Sequence, residues 1–353
     1  MVKKTLWGLA LFCSLVLLCF GAFLLYVTLT DYEPEPILPL TVSNNASQKL
    51  TTGIPFTVTT FNIGYAGLDK DQDFFMDGGT RSRAASKEQT TKNLNKILAF
   101  LKKEASSFYL LQEVDVDSSR SYHINQPAAM RQHLPDYGLV FAQNYLVPWV
   151  PVPIFDPMGS VNGGLVTLSK YQLKQSTRFS LYGKEDWPQQ PFDLDRCIME
   201  NRIPLENGKE LILVNLHLSA FDKGGKVRKQ QLAFLKEFMQ RHVQAGNYLI
   251  LGGDWNHLIP GTDPKRFKAK ESWPEWMQTI PPDFLPKGFT WVADGSVPTS
   301  RTLALPFKQG INFQSNIDGF LISSNVEVKR VYGHSLQFEY SDHNPVTAEF
   351  VLK

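Results

Sequence analysis

The sequence predicts an α/β domain behind a single membrane-spanning helix, and three observations predict it. A long uncharged apolar run opens the chain, from Thr5 to Leu29. Beyond Ile54, apolar runs of strand length alternate with turns and with two amphipathic stretches of helical period. Carboxylates, amides and histidines collect at the ends of those strand-like runs.

The opening run meets the length of about 20 apolar residues that a transmembrane helix requires. It is too long for the apolar core of a cleaved signal, and no Ala-x-Ala site follows it. Val-Leu-Leu before Cys19 also matches a lipoprotein signal poorly. Lys3 and Lys4 precede the run, and Asp31, Glu33 and Glu35 follow it. The positive-inside bias therefore predicts a single-pass cell-membrane protein, with a cytoplasmic N-terminus and an extracytoplasmic body. Residues 1–29 are expected as the anchor. Residues 30–53, with three prolines and many small polar side chains, are expected as a linker. Residues 54–353 are expected as the catalytic domain.

Within the body, FTVTTFNIG, FYLLQEVD, GGLVTLS, LILVNLHL, NYLILGGD, IDGFLIS and PVTAEFVL read as strands. KEQTTKNLNKILAFLKKEAS and KVRKQQLAFLKEFMQRHV carry apolar residues at three- and four-residue spacing and read as helices. The stretch from Pro260 to Thr302 has weak periodicity and is expected as long loops. Lys3 and Lys4 account for the whole formal net charge of +2, so the body is neutral. A neutral body gives no strong prior for nonspecific nucleic-acid binding, which leans on Lys and Arg to neutralise phosphates, although a local basic patch can hide in a neutral total. Cys197 is the one cysteine in the body, so no internal disulfide can brace it.

The chemistry lies at the strand ends. Asn62, Glu113 and Asp254 follow their apolar runs, whereas Asp318 and Asp342 precede theirs. If the two groups run antiparallel, all these clusters meet at one rim of one sheet. Alternation along LVNLHLS puts Asn215, His217 and Ser219 on the face opposite Val214, Leu216 and Leu218. Crowded carboxylates need a compensating cation or proton, and a hard cation such as Mg²⁺ prefers carboxylate and amide oxygens. Each residue alone has a plain structural reading: a turn for Asp254 and Asn256, a strand histidine for His217, a surface carboxylate for Glu113. Their coincidence is what carries weight. Two basic segments, Lys223–Lys229 and Asp263–Lys270, read either as anion-binding loops or as solvated surface. The tryptophans 255, 273, 276 and 291 read first as core packing.

The ordered set Phe61-Asn62, Gln112-Glu113, Asn215-x-His217, Gly252-Gly253-Asp254-x-Asn256, Asp318-Gly319 and Ser341-Asp342-His343-Asn344-Pro345-Val346 resembles the endonuclease/exonuclease/phosphatase family. That family includes deoxyribonucleases, abasic-site endonucleases, inositol polyphosphate 5-phosphatases and bacterial sphingomyelinases. The resemblance runs from about Phe56 to Leu352 and is to a membrane-anchored, bacterial-type member. It implies a four-layered α/β sandwich of two packed mixed sheets flanked by helices. It also implies a Mg²⁺-dependent phosphoester hydrolase, with Mn²⁺ as the alternative ion. By resemblance Glu113, Asn62 and Asp342 surround the metal. His217, Asp254, Asn256, Asp318 and His343 are catalytic, and Asn215 and Arg196 contact substrate. Where abasic-site enzymes carry an acidic residue two positions after the first asparagine, this chain has Gly64. The expected substrate is a small or lipid-linked phosphoester. An extracytoplasmic nuclease is the second reading, with nucleic acid the less favoured partner. A non-catalytic binding domain on a membrane tether is the third.

Overall fold

The computed structural model describes residues 2–353, with the side chain of Lys223 outside the described residues. Helix α1 spans Val2–Leu29 and is long and apolar enough to cross a membrane. Two seven-stranded sheets make up the body. The strands of both, in chain order, are β1 (Ile37–Leu40), β2 (Val42–Ser43), β3 (Phe56–Asn62), β4 (Phe108–Asp115), β5 (Gly138–Val150), β6 (Gly159–Ser169), β7 (Gln175–Ser180), β8 (Cys197–Pro204), β9 (Glu210–His217), β10 (Tyr248–Asp254), β11 (Phe289–Val292), β12 (Asp318–Ser323), β13 (Val326–Gly333) and β14 (Val346–Leu352). One sheet has the order β1-β7-β8-β9-β10-β12-β11, the other β13-β14-β3-β4-β6-β5-β2. Both are mixed: β9 and β10 are parallel, as are β3 and β4, and the remaining neighbours are antiparallel.

Alternating side chains decide the layers. Phe56, Val58, Phe108 and Leu110 face Leu211, Leu213, Ile250 and Phe320 across the space between the sheets. The opposite faces carry Phe61, Tyr109 and Leu111 on one sheet, and Ile212, Val214 and Leu251 on the other. Helices α2 (Lys87–Glu104) and α3 (Gln126–His133) cover the first of these outer faces, through Leu94, Ile97, Leu98, Leu101 and Met130. Helix α4 (Lys226–Gln244) covers the second through Leu232, Leu235, Phe238 and Met239. Ser86 caps α2, its hydroxyl accepting from the Gln89 amide at 3.1 Å. The result is the four-layered α/β sandwich that the resemblance implied.

Three expectations need correction. The polar clusters share a rim of two packed sheets, not of one. The stretch 30–53 holds β1 and β2, which pair with β7 and β5, so it is not a free tether. The stretch 260–302 is largely loop but contains β11, an edge strand hydrogen-bonded to β12.

Candidate active site

Strand register brings the motifs together. Asp254 lies opposite Asp318 in the antiparallel β10–β12 pair and beside His217 in the parallel β9–β10 pair. Asn62 pairs with Gln112 at the matching end of the other sheet. The loop before β14 supplies Asp342 and His343, and His343 bridges to Ser300.

Two backbone devices aim the side chains. The register of β4 slips between Leu111 and Val114, and Glu113 adopts φ 52°. Such a bulge turns a side chain out of the regular alternation. Gln112 therefore points between the sheets while Glu113 lines the pocket. In the Gly-Gly-Asp motif, Gly253 has φ 151°, and a Cβ there would lie 2.0 Å from the Leu216 carbonyl oxygen. Only glycine permits this close approach, which sets Asp254 against His217.

His343 Nδ1 lies 2.8 Å from Asp318 Oδ2, and its Nε2 lies 3.7 Å from Asp254 Oδ2. His217 Nε2 approaches the same Asp254 oxygen at 3.4 Å. The Asn62 amide donates to Glu113 Oε1 at 3.0 Å and to Asp254 Oδ2 at 3.1 Å. Its own oxygen accepts from the Gly64 amide at 3.0 Å, so Asn62 acts on Glu113 as an orienting group. The Asn256 backbone N–H donates to Asp254 Oδ1 at 2.9 Å, and its side-chain amide donates to the Leu218 carbonyl at 2.7 Å.

Burial and crowding set the electrostatics. Asp254 is pushed up to about 7 by burial and then by Asp318, against the opposing pull of His343. Burial raises Asp342 to about 6, with Glu113 adding to the rise and His343 opposing it. Burial alone would lower His343, but Asp318, Asp342 and Asp254 together hold it well above the ordinary imidazole range. Burial, then Arg196 and His343, hold His217 well below that range. Two neighbouring imidazoles are thus pushed in opposite directions, His343 toward its cationic form and His217 toward its neutral form.

Glu113, His217, Asp254, Asn256, Asp342 and His343 line a cavity of about 160 Å³ that also takes in Tyr65, Arg120, Asn144, Tyr145, Arg196 and Arg301. Of the other residues expected from sequence, Asn62 and Asp318 reach the cavity only as hydrogen-bond partners of Glu113 and His343, whereas Asn215 stands apart. It lies between the sheets, where its oxygen accepts from Gln112 at 2.8 Å and its amide donates to the Leu111 and Val166 carbonyls. That is a structural amide bridging two sheets, away from the cavity lining. Arg196 does line the cavity, with its guanidinium 3.5 Å from the His217 carbonyl. Arg120 was not expected. It is buried in a two-toothed pair with Asp115 and stacks over Tyr65 at 4.1 Å. Arg301, also unexpected, donates to the Asp69 carbonyl at 2.7 Å. Neither lies in a recognisable motif, and only the three-dimensional path of the loops reveals them.

Of the basic segments, Arg228 is buried against Asp222 and the Trp276 carbonyl, so it is no phosphate-gripping surface group. Trp255 and Trp291 pack edge to face at 4.7 Å beneath the site, and Trp276 lines the cavity.

Fold and site together define a four-layered α/β sandwich with a carboxylate–imidazole–amide centre at the shared rim of its two sheets. A model of the endonuclease/exonuclease/phosphatase family matches residues 59–343, and the chain belongs to that family. No curated protein matches it. Among solved structures, an endonuclease/exonuclease/phosphatase protein from Beutenbergia cavernae is 18% identical with a TM-score of 0.59, over 84% of this chain and 72% of the other. ANGEL2, a 2′,3′-cyclic phosphatase, is 16% identical with a TM-score of 0.55, over 89% of this chain and 98% of its own. Truncated Caenorhabditis elegans TDP2 is 16% identical with a TM-score of 0.52, over 85% and 98%. At these identities the likeness is one of fold.

Proposed function

We propose that this protein is a metal-dependent phosphoesterase, anchored in the cell membrane with its catalytic domain outside the cytoplasm. It hydrolyses phosphate mono- or diesters of small or lipid-linked substrates by in-line attack of water. The observation that carries this reading is the convergence of the His343–Asp318 pair, Asp254 and the Asn62–Glu113 pair on one cavity. The donor set fits a hard divalent cation. The carboxylates of Glu113 and Asp342 are close enough for Glu113 to help push Asp342 up to about 6, a repulsion that a cation would relieve. Glu113 and Asp342 would hold the ion, with Asn62 orienting Glu113. When bound, Mg²⁺ or Mn²⁺ supplies charge neutralisation at the phosphoryl and leaving oxygens.

The protein's own groups divide the remaining work. Asp254, poised near neutrality and fixed by two N–H donors, positions the attacking water and accepts its proton. His343, held cationic by Asp318, neutralises charge growing on the phosphoryl oxygens. His217 stays neutral and offers a ring N–H, and Asn256 offers its second amide hydrogen. Arg196 contributes a fixed positive charge at the cavity wall.

The experiment is a substrate panel on the full chain in detergent: phospholipids, sugar phosphates, inositol phosphates and nucleic acids, with Mg²⁺, Mn²⁺ or EDTA. Hydrolysis is expected with either ion, lost with EDTA and lost in Glu113→Gln. Cutting of nucleic acid alone would establish the nuclease reading. Metal binding without turnover on any member would leave a binding domain.

A further inference from the structure

The β5–β6 hairpin reaches beyond the sheet to which it belongs. From Asn144 to Phe155 it carries no charged side chain. At its tip Phe155 is 100% exposed and Ile154 80%, with Trp149 and Val152 exposed beside them. Asp156, the first charge after the tip, is paired with Arg83 at 2.5 Å. Large apolar side chains held this far into solvent mark a surface that meets something apolar.

The position of α1 identifies what that is. A hydrocarbon core of about 30 Å takes about 20 helical residues, so a span that starts at Thr5 ends near Leu24. The body takes hold of the helix at that level. Phe23 stacks on Phe192 with ring centroids 6.0 Å apart, and Val27 is buried. The Trp187 indole donates to Thr28 Oγ1 at 3.2 Å, and the Gln190 amide donates to Asp31 at 2.7 Å. Helix α1 also touches β5, the first strand of the hairpin. The body therefore sits against the point where the chain leaves the bilayer, with an exposed indole at Trp187 where interfacial tryptophans gather.

We propose that the hairpin tip, Trp149 to Phe155, seats in the bilayer surface beside α1 as a second membrane contact. We propose further that this contact holds the cavity mouth against lipid headgroups. The same segments wall the site. Tyr145 and Met158 from the hairpin, and Gln189 and Leu194 from the turn that grips α1, all line the catalytic cavity. A phosphoester carried on a membrane lipid then reaches the cavity without leaving the bilayer plane. This substrate class rests on the phosphoesterase reading, whereas the docking of the tip does not.

The test reads docking without activity. The full chain, with Cys13→Ser and Cys19→Ser, leaves Cys197 as the buried native thiol. Phe155→Cys, or Lys92→Cys on exposed helix α2 as a reference, is labelled with an environment-sensitive fluorophore. Each protein is reconstituted into vesicles of phosphatidylcholine and phosphatidylglycerol. The label at 155 is expected to be quenched several-fold more by spin-labelled lipid than the label at 92, and several-fold less by aqueous iodide. Equal quenching at both positions overturns the proposal. Protection at 155 that grows with protein density in the bilayer also overturns it, assigning the face to a second copy of the chain. In a second arm, Ile154→Ser/Phe155→Ser is expected to lower several-fold the ratio of vesicle-embedded to detergent-soluble substrate turnover. A lipid-docked label with an unchanged ratio removes the substrate claim and leaves the docking. A lipid-docked label on a chain with no turnover at all refutes the phosphoesterase reading alone.

Discussion

Asp254 links the stability of the fold to the chemistry of its site, and Asp254→Asn separates the two. The folded protein holds this carboxyl at about 7, pushed up by burial and then by Asp318. An unfolded aspartate titrates near ~3.9. A group raised in the fold contributes stability that is fully present below its unfolded value and is lost as pH climbs through its folded value. For the metal-free protein that window runs from about pH 4 to about pH 7. Each pH unit inside it costs about 1.4 kcal/mol, which sets a ceiling of roughly 4 kcal/mol. The asparagine variant has no proton to lose there. It gives up the hydrogen bond from Asn62 and the close approach of His217, but that loss is a nearly constant offset across pH. The assay is unfolding of the full chain in detergent with EDTA, wild type against variant, at steps from pH 4.5 to 8. The variant is expected to gain steadily on the wild type and to level off above pH 7. In a chain of this size each kcal/mol is worth roughly 1–3 °C in Tm. Parallel curves with a constant gap would refute the claim that Asp254 carries a strained charge.

Four further outcomes are expected. His343→Ala is expected to cost about 10²–10³-fold in kcat with the fold intact, and Asp318→Asn to lower the His343 imidazole pKa measured by NMR, since the partner carboxylate is gone. Asn215→Ala is expected to destabilise by about 1–3 kcal/mol without changing KM, because it removes the buried amide that joins Gln112 to the Leu111 and Val166 carbonyls between the sheets. The C-terminus is expected to be open to protease added outside intact cells, and a tag cleaved only after permeabilisation would reverse the topology.

The sequence was most legible where one face of a strand is apolar and its end is polar. All seven runs read as strands and both runs read as helices are present, because their periodicity survives in the packed layers. Strand β8 escaped notice because Glu200 and Asn201 interrupt its alternation. In the fold those polar groups are satisfied by Arg202, His242 and Thr167. Strands β1 and β2 hid behind prolines: β1 accepts Pro39 because it is an edge strand that needs only one set of partners. The side chains of the candidate site were legible through local signatures such as Gly-Gly-Asp-x-Asn. The arginines 120 and 301 were not, since nothing local marks a residue whose role is set by distant carbonyls and carboxylates. Asn215 was misassigned because strand alternation fixes the face a residue takes but not its depth. Two residues short of the rim, that face meets the opposite sheet instead of the cavity.

Gly64 shows how the site's charge count follows from its packing. A Cβ at this position would lie 2.7 Å from Asp342 Oδ1 and 3.1 Å from Ser341 Oγ, and the backbone has φ 49°. A side chain there is opposed twice, by contact and by a conformation that L residues seldom adopt. An acidic side chain would also bring one more negative charge against Asp342, whose ionisation burial already opposes. The turn instead commits its amide to Asn62, which spends its own amide hydrogens on Glu113 and Asp254. Glycine here thus holds the orienting amide in place and keeps a further negative charge away from Asp342.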